Sequence, residues 1–431
     1  MARLPKRQDH TGVEPYWELT FDADGDVDTA QRAELLSGTE RARVTDLLVF
    51  AHGWNNDKKG ARSLYRRFFA PCQRLAAPEV RLGYVGVLWP AIRFPDEPIP
   101  DFEPSAAPAA PVPPGGPVLD AATRQALDRA FPDHGPTLDR LAELLAERSD
   151  VPSRLYEFGR HVRELVSLRE TSPARHLGED TGAGEPAMLT DDAVQVCEIL
   201  AAARADTGQP ELLGAPRKRV WNGAHELLRQ GTYYAMKRRA GAVGGLGPAI
   251  GLLAADAPRI RVHLIGHSFG ARLVAYALRG MPADVRTVKS VTLLQGAFSH
   301  YAFADRLPHD RSRGGALRGV QRRIDGPLVS CYSRHDDALG RLYPLASKLA
   351  GDSTSFLNLW ERWGAVGYHG IRAVEGTKRI KLGERLPAKG CVSVDSASVV
   401  RRGGPPAGAH SDVCHEELAR AVFAAGRIAM A

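Results

Sequence analysis

The sequence predicts an α/β fold in which a mostly parallel β-sheet is flanked by helices and carries a large, mainly helical insertion. Residues 47–51 are continuously apolar, and Val262, Leu264 and Ile265 are apolar in the second stretch, as expected when a parallel sheet buries both faces of a strand. A stretch with helical spacing follows each of them, and this alternation favours parallel pairing. The alternation stops between residues 93 and 215, where no strand is predicted.

Length and charge narrow the class of protein. A chain of 431 residues exceeds the usual size of one domain, so we expect two domains or one domain with a large insertion. The net charge of +7 is spread through short runs such as 237–239 and 322–323. Nucleic-acid-binding proteins concentrate their positive charge on one face or motif, so the pattern favours a solvated surface and no nucleic-acid partner.

Cysteine usage and hydropathy predict a cytoplasmic protein, unless it is exported by a route that needs no cleavable signal. The five cysteines are scattered and form no C-x-x-C pair, which indicates neither a disulfide framework nor a zinc knuckle. No apolar segment follows the charged N-terminus, so no secretory signal is predicted. The longest apolar run, 241–255, is interrupted by Pro248 and is too short for a membrane span.

The N-terminal part of the predicted core covers residues 1–92. Its strands are expected at 15–21, 46–51 and 81–89, with a helix at 58–76. The acidic turn 22–26 resembles the start of a calcium-binding loop. However, Gly25 falls two positions early and Ala33 stands where the bidentate Glu is required, so we interpret it as a solvated turn.

The insertion is assigned to residues 93–215, as a possible lid or cap. It opens with a connector at 95–117 that is rich in proline, alanine and glycine, and it contains a second Gly-rich gap at 178–186. Within and directly after it, helices are predicted at 119–130, 136–149, 152–169, 190–205 and 217–239.

The C-terminal part of the core covers residues 216–431, and 217–255 is expected to return as core helices. Further strands are predicted at 287–294, 327–333 and 391–396, with helices at 339–350 and 412–428. The apolar segment 241–255 is predicted to be a buried helix packed beside the helix that follows residue 270. A lid or the lining of an acyl pocket is the alternative.

One stretch carries the strongest chemical signal, Gly266-His267-Ser268-Phe269-Gly270, which has the G-x-S-x-G pattern. A buried strand precedes it, and apolar residues at helical spacing follow it. A strand that turns sharply into a helix strains the residue at the turn, and such strain is kept where it serves a site. The pattern therefore predicts a nucleophile elbow with Ser268 as the nucleophile, with a simple Gly-rich turn as the alternative.

A serine nucleophile needs a base, and His410 is the best candidate. It follows the last predicted strand on a Gly/Pro-rich loop and precedes the terminal helix. His415 is the rival, but we expect it to lie inside that helix. Together with Asp412 and Cys414, the two histidines could also be considered as metal ligands. Their spacing matches no zinc pattern, so no metal is predicted.

The base needs an orienting carboxylate, and Asp336 is favoured because it follows the strand 327–333. Asp337 is the close alternative, since one residue of slip decides which side chain points inward. Asp305, which follows the preceding strand, is a third option. The order Ser268, Asp336, His410 is the chain order of a Ser–acid–His triad on this type of sheet.

Two backbone N–H groups are predicted to stabilise the oxyanion of the reaction. One belongs to Phe269, directly after the nucleophile. The other belongs to Trp54 in His52-Gly53-Trp54, which follows the strand 46–51 and resembles a His-Gly-x oxyanion loop; a simple turn is the alternative. The Gly-rich run at 244–247 lacks the spacing of a nucleotide-binding motif, so no cofactor is predicted.

These motifs together resemble the α/β-hydrolase superfamily of serine hydrolases, and 233–274 is similar to bacterial members of unassigned substrate. The resemblance extends over roughly 250 residues, with the elbow as its most specific part. It implies hydrolysis of an ester, thioester or amide through an acyl-enzyme.

We expect a carboxylic-ester hydrolase of the esterase or lipase type that acts on a small-molecule ester or acyl substrate. A thioesterase or peptidase with the same triad is one alternative. A non-catalytic binding protein that uses the insertion as its partner surface is another. The sequence does not indicate a protein partner.

Overall fold

In the part of the chain that the structure describes, eight parallel strands form one sheet. The structure, a computed structural model, describes residues 12–22, 24–54, 56–92, 119–167, 180–181, 189, 191–206, 216–243, 246–342, 364–404 and 407–431. The strands are β1 (Tyr16–Thr20), β2 (Asp46–Ala51), β3 (Leu82–Leu88), β4 (Arg261–His267), β5 (Val288–Leu294), β6 (Pro327–Tyr332), β7 (Lys378–Lys381) and β8 (Gly390–Asp395). Their spatial order is β1-β3-β2-β4-β5-β6-β8-β7, and every neighbouring pair is parallel. The predicted α/β architecture is confirmed at this level.

Helices cover both faces of the sheet. In the described ranges they are α1 (Thr29–Arg41), α2 (Lys58–Phe69), α3 (Cys72–Leu75), α4 (Ala121–Ala130), α5 (Gly135–Glu147), α6 (Pro152–Val166), α7 (Ala193–Asp206), α8 (Pro216–Ala242), α9 (Leu246–Asp256), α10 (Phe269–Gly280), α11 (Val366–His369) and α12 (Glu416–Gly426). None of these helices is long and apolar enough to cross a membrane.

Both faces of the sheet are buried, which explains why neither face of the central strands is polar. In β2, Val49 and Ala51 belong to the larger core cluster, which also contains the apolar faces of α1, of α4–α6 and of α8–α10. Leu48 and Phe50 belong to a second cluster with α2 and α12. Side chains alternate across a strand, so burial of both faces requires apolar residues at almost every position.

The elements that were not predicted include helix α1, strand β7 and the short helix α11. Helix α1 buries little apolar surface: its buried residues are Leu35, Gly38 and Thr39. A Cβ on Gly38 would lie 2.5 Å from Trp17 Nε1, so the helix approaches β1 through a glycine and leaves no apolar stripe in the sequence. Strand β7 is a four-residue edge strand whose side chains are mostly exposed, and it therefore lacks the alternation that identifies a strand.

Several predicted boundaries change. The helix expected at 58–76 is divided near Pro71 into α2 and α3, and the terminal helix begins at Glu416 rather than at 412. A π-helical turn, Ala338–Leu342, stands at the start of the helix expected at 339–350; residues 343–350 lie outside the described part. The connector 95–117 and most of the gap 178–186 also lie outside it.

The apolar segment 241–255 forms mainly α9, which packs against α10. A Cβ on Gly247 would lie 2.4 Å from the Ala277 carbonyl oxygen and 2.7 Å from the Met281 nitrogen. Leu246, Ile250 and Leu253 are buried in the larger core cluster. The interpretation as a core helix beside α10 is confirmed.

A buried ion-pair network connects the predicted insertion to α8 and α10. Asp180 is bonded to Lys237 Nζ at 2.8 Å and to the Arg272 guanidinium at 3.2 Å. It also accepts a hydrogen bond from the Ser299 N–H at 3.0 Å. Arg272 is fully buried and donates further to the Lys237 carbonyl and the Tyr276 hydroxyl. Asp180 thus supplies the carboxylate that balances a charge in the core.

Candidate active site

Ser268 stands at a sharp turn between β4 and α10. Its backbone has φ 55° and ψ −119°, a region that residues with a side chain rarely adopt. Such a conformation costs about 1–3 kcal/mol and persists only where surrounding contacts enforce it. Here the Ser268 N–H donates to the Leu294 carbonyl at 3.0 Å, and its own carbonyl accepts from Ala271 and Ala297. The turn is therefore held from both α10 and β5.

The glycines of the motif allow the backbone segments to approach one another. A Cβ on Gly266 would lie 2.3 Å from the Gly270 carbonyl oxygen, and a Cβ on Gly270 would lie 2.0 Å from that of Ala51. Both distances are far inside van der Waals contact, and the opposing atoms are backbone atoms that cannot rotate away. Only glycine fits at these two positions with the backbone as it stands.

Three predicted residues meet at the carboxyl ends of the strands. His410 Nε2 lies 2.9 Å from Ser268 Oγ, and His410 Nδ1 lies 2.8 Å from Asp336 Oδ2. With the Asp336 carboxylate accepting from Nδ1–H, Nε2 is left to accept the proton of the Ser268 hydroxyl. Ser268 is only 1% exposed, and Asp336 is fully buried.

The carboxylate beside His410 is that of Asp336, and neither alternative acid occupies this position. Asp336 follows β6, and its second oxygen accepts from the Leu339 N–H at 3.0 Å. Burial raises its pKa above the ordinary value, while His410 acts in the opposite direction. Asp337 lies beside Gly408 in the loop that carries His410, and Asp305 is exposed in the loop after β5.

Asp412 fixes the loop that carries His410. Its Oδ2 accepts from the backbone N–H groups of Arg401 and Arg402 at 3.0 and 2.8 Å, and its Oδ1 lies 2.8 Å from His415 Nε2. The expectation that His415 lies inside the terminal helix is wrong, because His415 is the N-cap residue of α12. From the sequence, His415 was considered as a rival base and, with Asp412, as a metal ligand, and the hydrogen bonds by which these two residues hold the loop were missed.

The predicted oxyanion loop lies against the elbow. A Cβ on Gly53 would be 2.9 Å from Ser268 Cβ and 3.5 Å from Ser268 Oγ, so glycine lets this loop reach the serine. Trp54 follows it, half-buried, with its ring centroid 6.3 Å from that of Phe269. Phe269 is the first residue of α10, where backbone N–H groups have no partner within the helix.

Two neutral histidines surround the triad. His267 Nε2 lies 2.8 Å from the carbonyl oxygen of His410, so Nε2 carries the hydrogen and donates it. Burial and the neighbouring His410 lower the pKa of His267 to about 3. Burial also lowers the pKa of His52 to about 4. His267 therefore holds the loop of His410 without adding a charge beside it, a role that the motif alone does not reveal.

An aromatic cluster of Trp54, Tyr233 and Phe269 lies beside the turn that carries Ser268. The Tyr233 ring lies 4.6 Å from the Phe269 ring and 5.3 Å from the Trp54 ring, between centroids. Its hydroxyl is buried and has no hydrogen-bond partner among the described residues. Tyr233 comes from α8, and only the packing of α8 on α10 places it here.

Within the described ranges, no group of three or more His, Cys, Asp or Glu side chains is arranged to hold a metal ion. Comparison with protein-family models, with curated proteins and with solved structures finds no match to this chain.

Proposed function

We propose that this protein is a serine hydrolase with the α/β-hydrolase fold that cleaves carboxylic esters through an acyl-enzyme. One observation carries the proposal: the continuous chain from Ser268 Oγ through His410 to Asp336, with distances of 2.9 and 2.8 Å. The strained turn beneath Ser268 supports it, because nucleophile elbows present their serine in this way.

In the first half of the reaction, His410 Nε2 takes the proton of Ser268 as Oγ bonds to the carbonyl carbon of the ester. The tetrahedral intermediate then collapses. His410 gives the proton to the departing alkoxide oxygen, and the alcohol leaves an acyl-serine behind. Asp336 keeps His410 in the tautomer with hydrogen on Nδ1 and stabilises the imidazolium that forms between these steps.

In the second half, water attacks the acyl-serine with His410 as the base, and the carboxylic acid and free Ser268 are released. We assign the N–H groups of Phe269 and Trp54 to the developing oxyanion in both halves. The contact of Gly53 with Ser268 and the position of Phe269 at the start of α10 support this assignment.

A fluorophosphonate probe tests the proposal, because an activated serine displaces fluoride and forms a stable Oγ–P bond. We expect wild type to label and Ser268→Ala not to label. The control variant is Ser398→Ala, which changes an exposed serine after β8 and should label as wild type does. Turnover of short p-nitrophenyl esters should fall by about 10³-fold or more in His410→Ala.

Two results would overturn the proposal. One is absence of labelling under conditions in which a control esterase labels, and the other is equal labelling of wild type and Ser268→Ala. Absence of labelling would favour the non-catalytic alternative, whereas equal labelling would place the reactive nucleophile at a residue other than Ser268. Parallel assays with thioester and amide substrates decide among the hydrolases that share this chemistry.

A further inference from the structure

A cavity that contains no residue of the Ser268 triad is lined by two segments. One is the loop after β5, around Tyr301 and Pro308, and the other is the stretch 371–379 that leads into β7. The cavity has a volume of about 380 Å³, within the range of small-molecule sites. None of its lining residues belongs to the triad.

The lining is positively charged. It contains Arg372 and Arg379 and no Asp or Glu. Arg379 is held in place, since it donates to the His369 carbonyl at 2.5 Å and its guanidinium carbon lies 5.2 Å from the centre of the Tyr332 ring. The nearby Asp310 carboxylate accepts hydrogen bonds from Ser312, and neither Asp310 nor Glu375 is a lining residue.

Two lining side chains contain buried polar atoms that have no hydrogen-bond partner among the described residues. They are Arg372 Nε and Thr377 Oγ1. Buried donors are almost always paired in folded proteins, so each unpaired one needs an explanation. The Arg372 backbone is anchored, because its N–H donates to the His300 carbonyl at 2.9 Å. This hydrogen bond fixes the position of the Arg372 Cα, from which the side chain extends.

The pKa of His369 is also affected by the two arginines of the lining. Burial, together with Arg372 and Arg379, lowers its pKa to about 4, so its ring is neutral at physiological pH. Its Nε2 is also buried and has no partner among the described residues. The two arginines and the Thr377 hydroxyl of the lining favour a group that is negative and rich in hydrogen-bond acceptors.

We propose that this cavity is a binding site for a small anion, a phosphate or carboxylate group, held by Arg372, Thr377 and Arg379. A guanidinium presents parallel N–H donors that match two oxygens of such a group, and the Thr377 hydroxyl supplies a further donor. The proposal does not require Ser268 to be a nucleophile, so it stands or falls independently of the esterase chemistry.

Isothermal titration of the full chain with inorganic phosphate, at constant ionic strength set with chloride, tests the site. We expect saturable binding that Arg372→Gln weakens by about tenfold or more, as for loss of a charged hydrogen bond. Thr377→Val should weaken it by a smaller factor. Arg385→Gln changes an exposed arginine beyond β7 that is not a lining residue, and it should bind as wild type does.

The same titration with acetate separates the two anions, and tighter binding of one identifies it as the group for which the site is built. The proposal is overturned if neither anion binds saturably, or if Arg372→Gln and Arg385→Gln weaken binding equally. Circular dichroism without ligand checks that each variant folds. If Arg372→Gln does not fold, unchanged phosphate binding by folded Thr377→Val overturns the proposal.

Discussion

At the scale of single residues, the choice between Asp336 and Asp337 depends on burial and direction. Asp336 is fully buried and bonded to His410 Nδ1, whereas Asp337 lies half-buried beside Gly408. The two carboxylates are adjacent in the sequence and chemically identical. They therefore form a matched pair for an experiment on the orientation of His410.

Asp336→Asn should reduce ester turnover by about 10³–10⁴-fold, because the amide favours the wrong tautomer of His410 and cannot stabilise its imidazolium. The measurement is kcat/KM on a short p-nitrophenyl ester. Asp337→Asn is the control and should stay within a few-fold of wild type. A larger loss in Asp337→Asn than in Asp336→Asn would show that the acid is misassigned.

At the scale of elements, the loop from Arg401 to Asp412 decides where His410 stands. Asp412 holds the start of this loop through two backbone N–H groups, His267 holds the carbonyl of His410, and His415 ties Asp412 to the start of α12. Burial acts to raise the pKa of Asp412, but these hydrogen bonds outweigh it and leave the pKa below its ordinary value. The hydrogen bond to Asp412 raises the pKa of His415.

His415→Gln should therefore lower the free energy of unfolding in a pH-dependent way. Because the folded-state pKa of His415 is raised above 6.5, its pairing contributes fully below that pH and is lost as pH rises through the folded-state value. We expect a loss of about 1 kcal/mol in acid-side buffers and convergence with wild type in alkaline buffers. Urea unfolding of wild type and His415→Gln, from acid to alkaline buffers, measures this difference in the free energy of unfolding.

The Asp412→Asn background provides the control. There the partner of His415 has lost its charge, so adding His415→Gln should have little pH-dependent effect. A difference between wild type and His415→Gln that stays constant with pH would contradict the assignment of a charged pair.

At the scale of the whole molecule, the buried network around Asp180 connects the predicted insertion to the helix that carries the elbow. Arg272 lies one turn beyond Phe269 on α10, and its guanidinium has no exposure to solvent. Without the Asp180 carboxylate, that charge would lack its buried counter-charge. Asp180, which lies within the predicted insertion, is thus part of the electrostatics of the core.

Asp180→Ala should destabilise the fold by about 3–5 kcal/mol, the usual cost of removing one partner from a buried ion pair. The measurement is the midpoint of denaturant unfolding. Glu143→Ala removes the partner of an ion pair on α5 in which the Glu143 side chain is 61% exposed, and it should cost no more than about 1 kcal/mol. Equal losses in the two variants would mean that the Asp180 network contributes no more than a surface pair.

Much of the architecture can be predicted from the sequence because strands and helices leave local patterns of apolar residues. The run 47–51 and residues Val262, Leu264 and Ile265 are apolar because both faces of the parallel sheet are buried. The predicted elbow is recognisable because a glycine stands two residues to either side of Ser268. Helix α1 and strand β7 left no such signal, since one packs through Gly38 and the other is an exposed edge.

The sequence alone determined the order of the strands and helices that frame the elbow, and which residue types could supply a nucleophile, a base and an acid. Only the tertiary structure decided that Asp336 faces His410, that His267 holds the His410 carbonyl and that Tyr233 reaches Phe269. It also brought Arg372, Thr377 and Arg379 around one cavity. The physical reason is distance along the chain. Local periodicity reports burial and backbone preference, whereas contacts between distant segments depend on how helices and loops pack on the finished sheet.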